Sequence, residues 1–143
     1  MTAQRLRRLS IRGLIAIHQE LAARYGGQAL SSASSRTREV DLAMLELVLA
    51  RAELVVRGPH WRSRARLGAG YGWRVLKIRP FAEGNQRMAL AAMMTHLEMN
   101  GLTWKCGEVE ETAMVLRAST GHMKQADWEA WVVGNVGAVA SRR

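Results

Sequence analysis

Apolar residues along this chain recur mostly at the three-and-four spacing of helices rather than at the alternation of strands. Leu14, Ile17, Leu21 and Ala22 share one stripe within residues 9–25, and Gly26 and Gly27 follow as a stop. The small, polar segment 28–38, QALSSASSRTR, reads as a loop. Val40, Leu42, Leu45, Leu49 and Ala52 then predict a helix over 39–56, with Asp41 and Glu46 on its wet face. Residues 57–72, RGPHWRSRARLGAGYG, open on a Gly-Pro break and carry four arginines, which predicts a loop or short hairpin. A helix follows over 71–78, with Trp73 and Leu76 inward and Arg74 and Lys77 outward. Beyond a short apolar-polar stretch at 102–105, acids open the segment 108–119 and Arg117 closes it, as a helix dipole prefers. A last helix starts near Gln125 or Asp127 and packs through Trp128, Trp131 and Val132. Neither internal repeats nor low-complexity tracts interrupt the pattern.

One stretch stands apart. From Met88 to Gly101 the only polar interior positions are Thr95, His96 and Glu98, and Gly101 is suited to a left-handed cap. A helix so apolar on nearly every side belongs in the core. In front of it stand Glu83, Gly84, Asn85, Gln86 and Arg87. Open backbone amides, a glycine and one guanidinium at the positive pole of a buried helix make an anion cradle in physical terms. Glycine and asparagine are also ordinary turn residues, so a plain loop and cap is the competing reading.

Composition narrows the class. With 143 residues, 48% hydrophobic and 23% charged, the chain is predicted to be one globular domain, 1–143. The longest apolar run, 88–94, is too short to span a bilayer, and the basic start is not followed by a signal-peptide core, so a cytoplasmic protein is expected. A single cysteine, Cys106, excludes an internal disulfide and reads as a small half-buried residue rather than a nucleophile. The net charge of +9, from 21 basic against 12 acidic residues, admits nucleic acid, an acidic protein or a phosphate-rich molecule as partner. The arginines are dispersed and accompany no nucleic-acid motif, which counts against nucleic acid. His60, His96 and His122 match no metal-ligand spacing and read as structural or surface residues.

The run RPFAEGNQR before a long helix ending in NG resembles the core of the Fic/Doc family. That family's motif reads His, any or Pro, Phe, any, Asp or Glu, Gly or Ala, Asn, Lys or Gly, Arg. Pro80, Phe81, Glu83, Gly84, Asn85 and Arg87 fall in register, and Arg79 stands at the histidine position. The segment IAIHQELAARYGG further resembles the first helix of the Doc branch, with His18 read as an exposed or half-buried hydrogen-bonding residue. The resemblance spans about residues 9–135. It implies an all-α bundle around a central buried helix, with room for one small β-hairpin flap.

The resemblance also implies chemistry. ATP or a related nucleotide would be the donor, its phosphates held by Ala82, Gly84, Asn85, Gln86 and Arg87, with Mg²⁺ on Glu83 and Phe81 anchoring the loop from below. Transfer would go to a hydroxyl of a protein target, which in Doc relatives is elongation factor Tu, under restraint by a small antitoxin protein. The autoinhibitory motif that other members carry is only loosely imitated around Ser35 and Glu39, since Val40 follows the glutamate. The catalytic position is Arg79, and arginine cannot accept a proton. The chain is therefore expected to be inactive or weak, which suits either a naturally inactive relative or a copy altered to remove a toxic activity. Gln86 stands where the Doc branch has Lys and the AMP-transferring branch has Gly, and Leu90 stands where that second branch has another Arg. The absent arginine and short chain favour the Doc branch, with AMP transfer and a noncatalytic nucleotide-binding module as alternatives.

Overall fold

A computed structural model of the chain describes residues 6–25, 35–54 and 60–138, with the backbone alone at 35–41 and 138. The helical stripes become α1 (Ile11–Tyr25), α2 (Ser35–Ala52), α3 (Trp61–Ile78), α4 (Asn85–Met99), α5 (Glu108–Ser119) and α6 (Gln125–Gly134). Two short strands complete the all-α fold, β1 (Leu102–Trp104) between α4 and α5 and β2 (Val136–Ala138) after α6. They pair antiparallel in the register Leu102↔Ala138, Thr103↔Gly137 and Trp104↔Val136. Gly26, Gly27, residues 28–34 and residues 55–59 lie outside the described residues, and the Gly-Pro break with them, while residues 35–38, expected as the end of a loop, are the first residues of α2.

The centre is α4, whose Met88, Ala89, Ala92, Met93 and Leu97 are buried. Of its fifteen residues only Gln86, Arg87 and Glu98 are exposed. The helix starts at Asn85, three residues before the apolar run, because Gly84 adopts φ 79° and turns the chain into it. Along α4 lies α3, which also meets α2, α5 and α6, while α1 covers another side of α4.

The loop or hairpin expected over 57–72 is corrected: residues 61–72 are the first part of α3. His60 caps that helix, its Nδ1 accepting from the Arg62 amide at 3.2 Å. Glycines that read as breaks serve close helix packing instead. A Cβ at Gly70 would stand 3.1 Å from the Ala52 carbonyl oxygen, and one at Gly72 would stand 3.1 Å from Cζ2 of Trp128. Each glycine costs about 1 kcal/mol of helix propensity relative to alanine, a cost that burial against α2 and α6 offsets.

Two polar knots finish the core. Trp128, fully buried between α6 and α3, satisfies its indole N–H on the Ala69 carbonyl at 2.9 Å. At the far end of α4, the Asn100 side chain accepts from the Arg7 amide at 2.8 Å and donates to the Arg7 carbonyl at 3.0 Å. His96 contacts the Arg64 carbonyl at 2.8 Å, and the Arg64 guanidinium donates to the Asn100 carbonyl. No helix among the described residues is long and apolar enough to cross a membrane.

Candidate functional site

The site begins where α3 ends. Pro80 cannot continue a helix, and the chain leaves α3 through Arg79, whose φ of 54° and ψ of 62° are left-handed. Arg79 is the only non-glycine residue at positive φ among the described residues. Its amide still donates to the Val75 carbonyl at 3.0 Å, closing the last turn. The side chain of this exposed residue therefore leaves the helix at an angle that a right-handed continuation would not give.

The loop between α3 and α4 is held from inside. Asn85 is buried, and its side chain pairs both ways with Phe81: Oδ1 accepts from the Phe81 amide at 3.1 Å and Nδ2 donates to the Phe81 carbonyl at 2.9 Å. The Phe81 ring is buried beneath the loop, stacked on His18 of α1. His18 Nε2 lies 3.4 Å from the Glu83 carbonyl oxygen. His18 is thus buried, which corrects the expectation of an exposed or half-buried residue, while its bonding partner is the motif loop itself.

Above this anchor opens a groove of about 410 Å³. Arg79, Ala82, Glu83, Gly84, Asn85, Gln86 and Arg87 all line it, with Leu76 behind. All the residues picked from the motif converge there except Pro80 and Phe81, the second of which supports the loop from below. Ser119, at the end of α5, forms the opposite wall and was not foreseen from its sequence surroundings. Gln86 Nε2 donates to its hydroxyl at 3.0 Å, and Lys77 fixes that end of α5 by donating to the Ala118 carbonyl at 2.6 Å.

The groove has the electrostatics of an anion site. No side chain caps the N-terminus of α4, so the first-turn amides have no intrahelical acceptor and the positive end of the dipole faces the groove. Arg79 and Arg87 add two cations, and Glu83 is the one carboxylate in the lining. The Arg87 guanidinium lies over the Tyr25 ring, 4.3 Å from its centroid.

Elsewhere the chemistry is quieter. His96 is fully buried, and its pKa is lowered to about 4 by burial together with the charges of Arg64 and Arg8. Burial, with Glu110 and Glu111 nearby, pushes the Cys106 thiol up, which disfavours the reactive thiolate. Among the described residues no group of three or more His, Cys, Asp or Glu could hold a metal ion by itself.

Residues 8–97 match the model of the Fic/DOC family. The chain belongs to the Fic/DOC family. No individual curated protein matches it. The family's members are typically transferases that modify proteins and draw on nucleotide donors. The matched span runs from just before α1 into the last turn of α4 and takes in the whole lining of the groove except Ser119. The part of this Fic/DOC chain that supplies α5, α6 and the small sheet lies beyond it.

Proposed function

We propose that this chain is a Doc-like member of the family, which moves the γ-phosphoryl group of ATP to a hydroxyl of a protein target, and that Arg79 holds the reaction to a low rate. The observation that carries the reading is the convergence of the motif side chains on one groove at the uncapped N-terminus of a buried helix. The backbone amides there suit the donor phosphates, and the planar fork of Arg87 suits a phosphate bidentately. Asn85 acts on the loop, keeping the amides in position through its two bonds to Phe81.

In the transfer, the target oxygen bonds to the γ-phosphorus as the bond to the β,γ-bridging oxygen breaks, and ADP leaves. The hydroxyl proton needs an acceptor. Arginine stays a cation at any pH of interest and has no lone pair to offer. Loss of a general base costs about 10²- to 10⁴-fold in rate. Arg79 instead adds a second cation for the donor phosphates, so nucleotide binding survives better than transfer.

Magnesium is commonly held by one or two carboxylates together with substrate phosphates. The single carboxylate of the groove fits that donor set: Glu83 would hold the ion, which when bound neutralises charge on the phosphates. The protein target, elongation factor Tu in Doc relatives, and an antitoxin partner belong to the same reading. A noncatalytic nucleotide-binding module is the second reading, favoured by the cation at the proton-acceptor position, and AMP transfer is left open by Gln86.

Calorimetric titration with a non-hydrolysable ATP analogue and Mg²⁺, paired with a transfer assay on Arg79→His, tests the proposal. Binding by both proteins and a gain in transfer of about 10²-fold or more in the His variant are expected. Binding without any transfer by the His variant favours the noncatalytic module. No binding by either protein overturns both readings.

A further inference from the structure

A second, smaller pocket of about 150 Å³ opens between the end of α2, the middle of α3 and the start of α6. It shares no lining residue with the motif groove. Its apolar wall is indole, supplied by Trp73, which is almost wholly buried, and by Trp128, which is completely so. Three guanidinium groups, those of Arg51, Arg66 and Arg74, also line it, against the single carboxylate of Glu129.

Only one pair of these charges is spent on one another. Arg66 engages Glu129, Nε to Oε2 at 3.1 Å. The side chains of Arg51 and Arg74 have no ion pair among the described residues. Arg74 Nε is buried without a hydrogen-bond acceptor. Buried N–H donors are nearly always paired, and one on a permanent cation is costly to leave open.

We infer that this pocket binds a small phosphate-class anion, either free phosphate or the head of a small phosphomonoester. The oxyanion sits between Arg51 and Arg74 and meets two guanidinium forks of the geometry that phosphate favours, and a turn of the Arg74 side chain toward it gives the buried Nε its missing acceptor. Any organic body lies against Trp73. At about 150 Å³ against about 410 Å³, the pocket suits a ligand smaller than the donor nucleotide of the motif groove. The inference stands apart from the proposed transferase reaction and does not depend on it.

The test is a ¹H,¹⁵N titration of the full chain that follows the Arg Nε and Trp Nε1 signals, with inorganic phosphate in one series and phenyl phosphate in the other. Saturable shifts of the Arg74 Nε–H and Trp73 indole signals are expected. Tighter binding of phenyl phosphate assigns the site to an organic phosphate, and equal affinity assigns it to the free ion; both support the pocket. Arg51→Gln, an exposed change that spares the core, should weaken binding about tenfold or more, and Arg74→Lys, which keeps the charge but loses the fork, should do likewise. Arg79→Ala in the other groove should leave these shifts unaltered. Absence of saturable shifts, or affinities unchanged in both Arg51→Gln and Arg74→Lys, overturns the inference.

Discussion

The imidazole of His18 lies parallel to the ring of Phe81, with centroids 3.9 Å apart and planes 3° from parallel. Through this stack α1 holds the loop that carries every motif residue of the groove. Both rings are buried, so removing one leaves a cavity as well as a lost contact. His18→Ala should cost about 2–3 kcal/mol in urea denaturation, from burial and the ring contact together. His18→Phe should keep the stack and lose the contact of Nε2 with the Glu83 carbonyl, so it should cost about 1 kcal/mol, less than the alanine change. A loss for His18→Ala within about 0.5 kcal/mol of zero, the range of an ordinary surface change, would mean that the loop does not depend on α1.

The second anchor is Asn85, whose amide completes a closed pair with the Phe81 backbone. Asn85→Ala removes both partners inside a buried loop, and about 2–3 kcal/mol of stability should go with them. Asn85→Asp is nearly isosteric, yet it faces the Phe81 carbonyl with an oxygen where a donor stood. It should be comparably destabilised at neutral pH and partly recover in acid, where a protonated carboxyl can donate again. Denaturation midpoints across pH check this, and a neutral-pH stability equal to wild type would contradict the pairing.

How much of this was legible in the sequence follows from the kind of signal each part leaves. The central helix announced itself because burial on all sides leaves an apolar run, and the groove residues did so because seven of them are contiguous or nearly so between Arg79 and Arg87. The start of α3 was not legible: Gly68, Gly70 and Gly72 mark breaks in propensity terms, and only tertiary contact reveals that they let Leu97, Ala52 and Trp128 respectively come close. Ser119 left no trace at all, since a lone serine gains its place at the groove only when Lys77 and Gln86 bring the end of α5 to it. One small strand pair was expected from the resemblance, but its place at Leu102–Trp104 and Val136–Ala138 was not legible, because three residues are too few for an alternation to show.

His96 makes a pH prediction. Its folded pKa is lowered to about 4, chiefly by burial, while the unfolded chain titrates near 6.5. Above about pH 6.5 both states are neutral and the buried site contributes in full. As pH falls from there, the unfolded chain binds the proton that the folded chain refuses, so stability declines until about pH 4. Between about pH 7 and about pH 5 the loss should be about 2 kcal/mol. His96→Leu removes the titrating group, so its stability, whatever its absolute value, should lack this part of the slope. Equal slopes in the two proteins would show that His96 is accessible to protons in the folded state.

Arg79 carries a backbone prediction that bears on the transfer experiment. Its left-handed conformation, immediately before Pro80, costs an L-residue about 1–2 kcal/mol. Arg79→Gly relieves that cost and gives back about 0.5–1 kcal/mol through the greater freedom of the unfolded chain, so it should be neutral or up to about 1.5 kcal/mol more stable. Arg79→Val, β-branched at the same angle, should lose about 1–2 kcal/mol. Histidine tolerates positive φ better than most residues, so Arg79→His should fold with a stability within about 0.5 kcal/mol of wild type. If denaturation bears this out, a gain of transfer by the His variant reports the arrival of a proton acceptor, because neither the fold nor the angle at which the side chain enters the groove has changed.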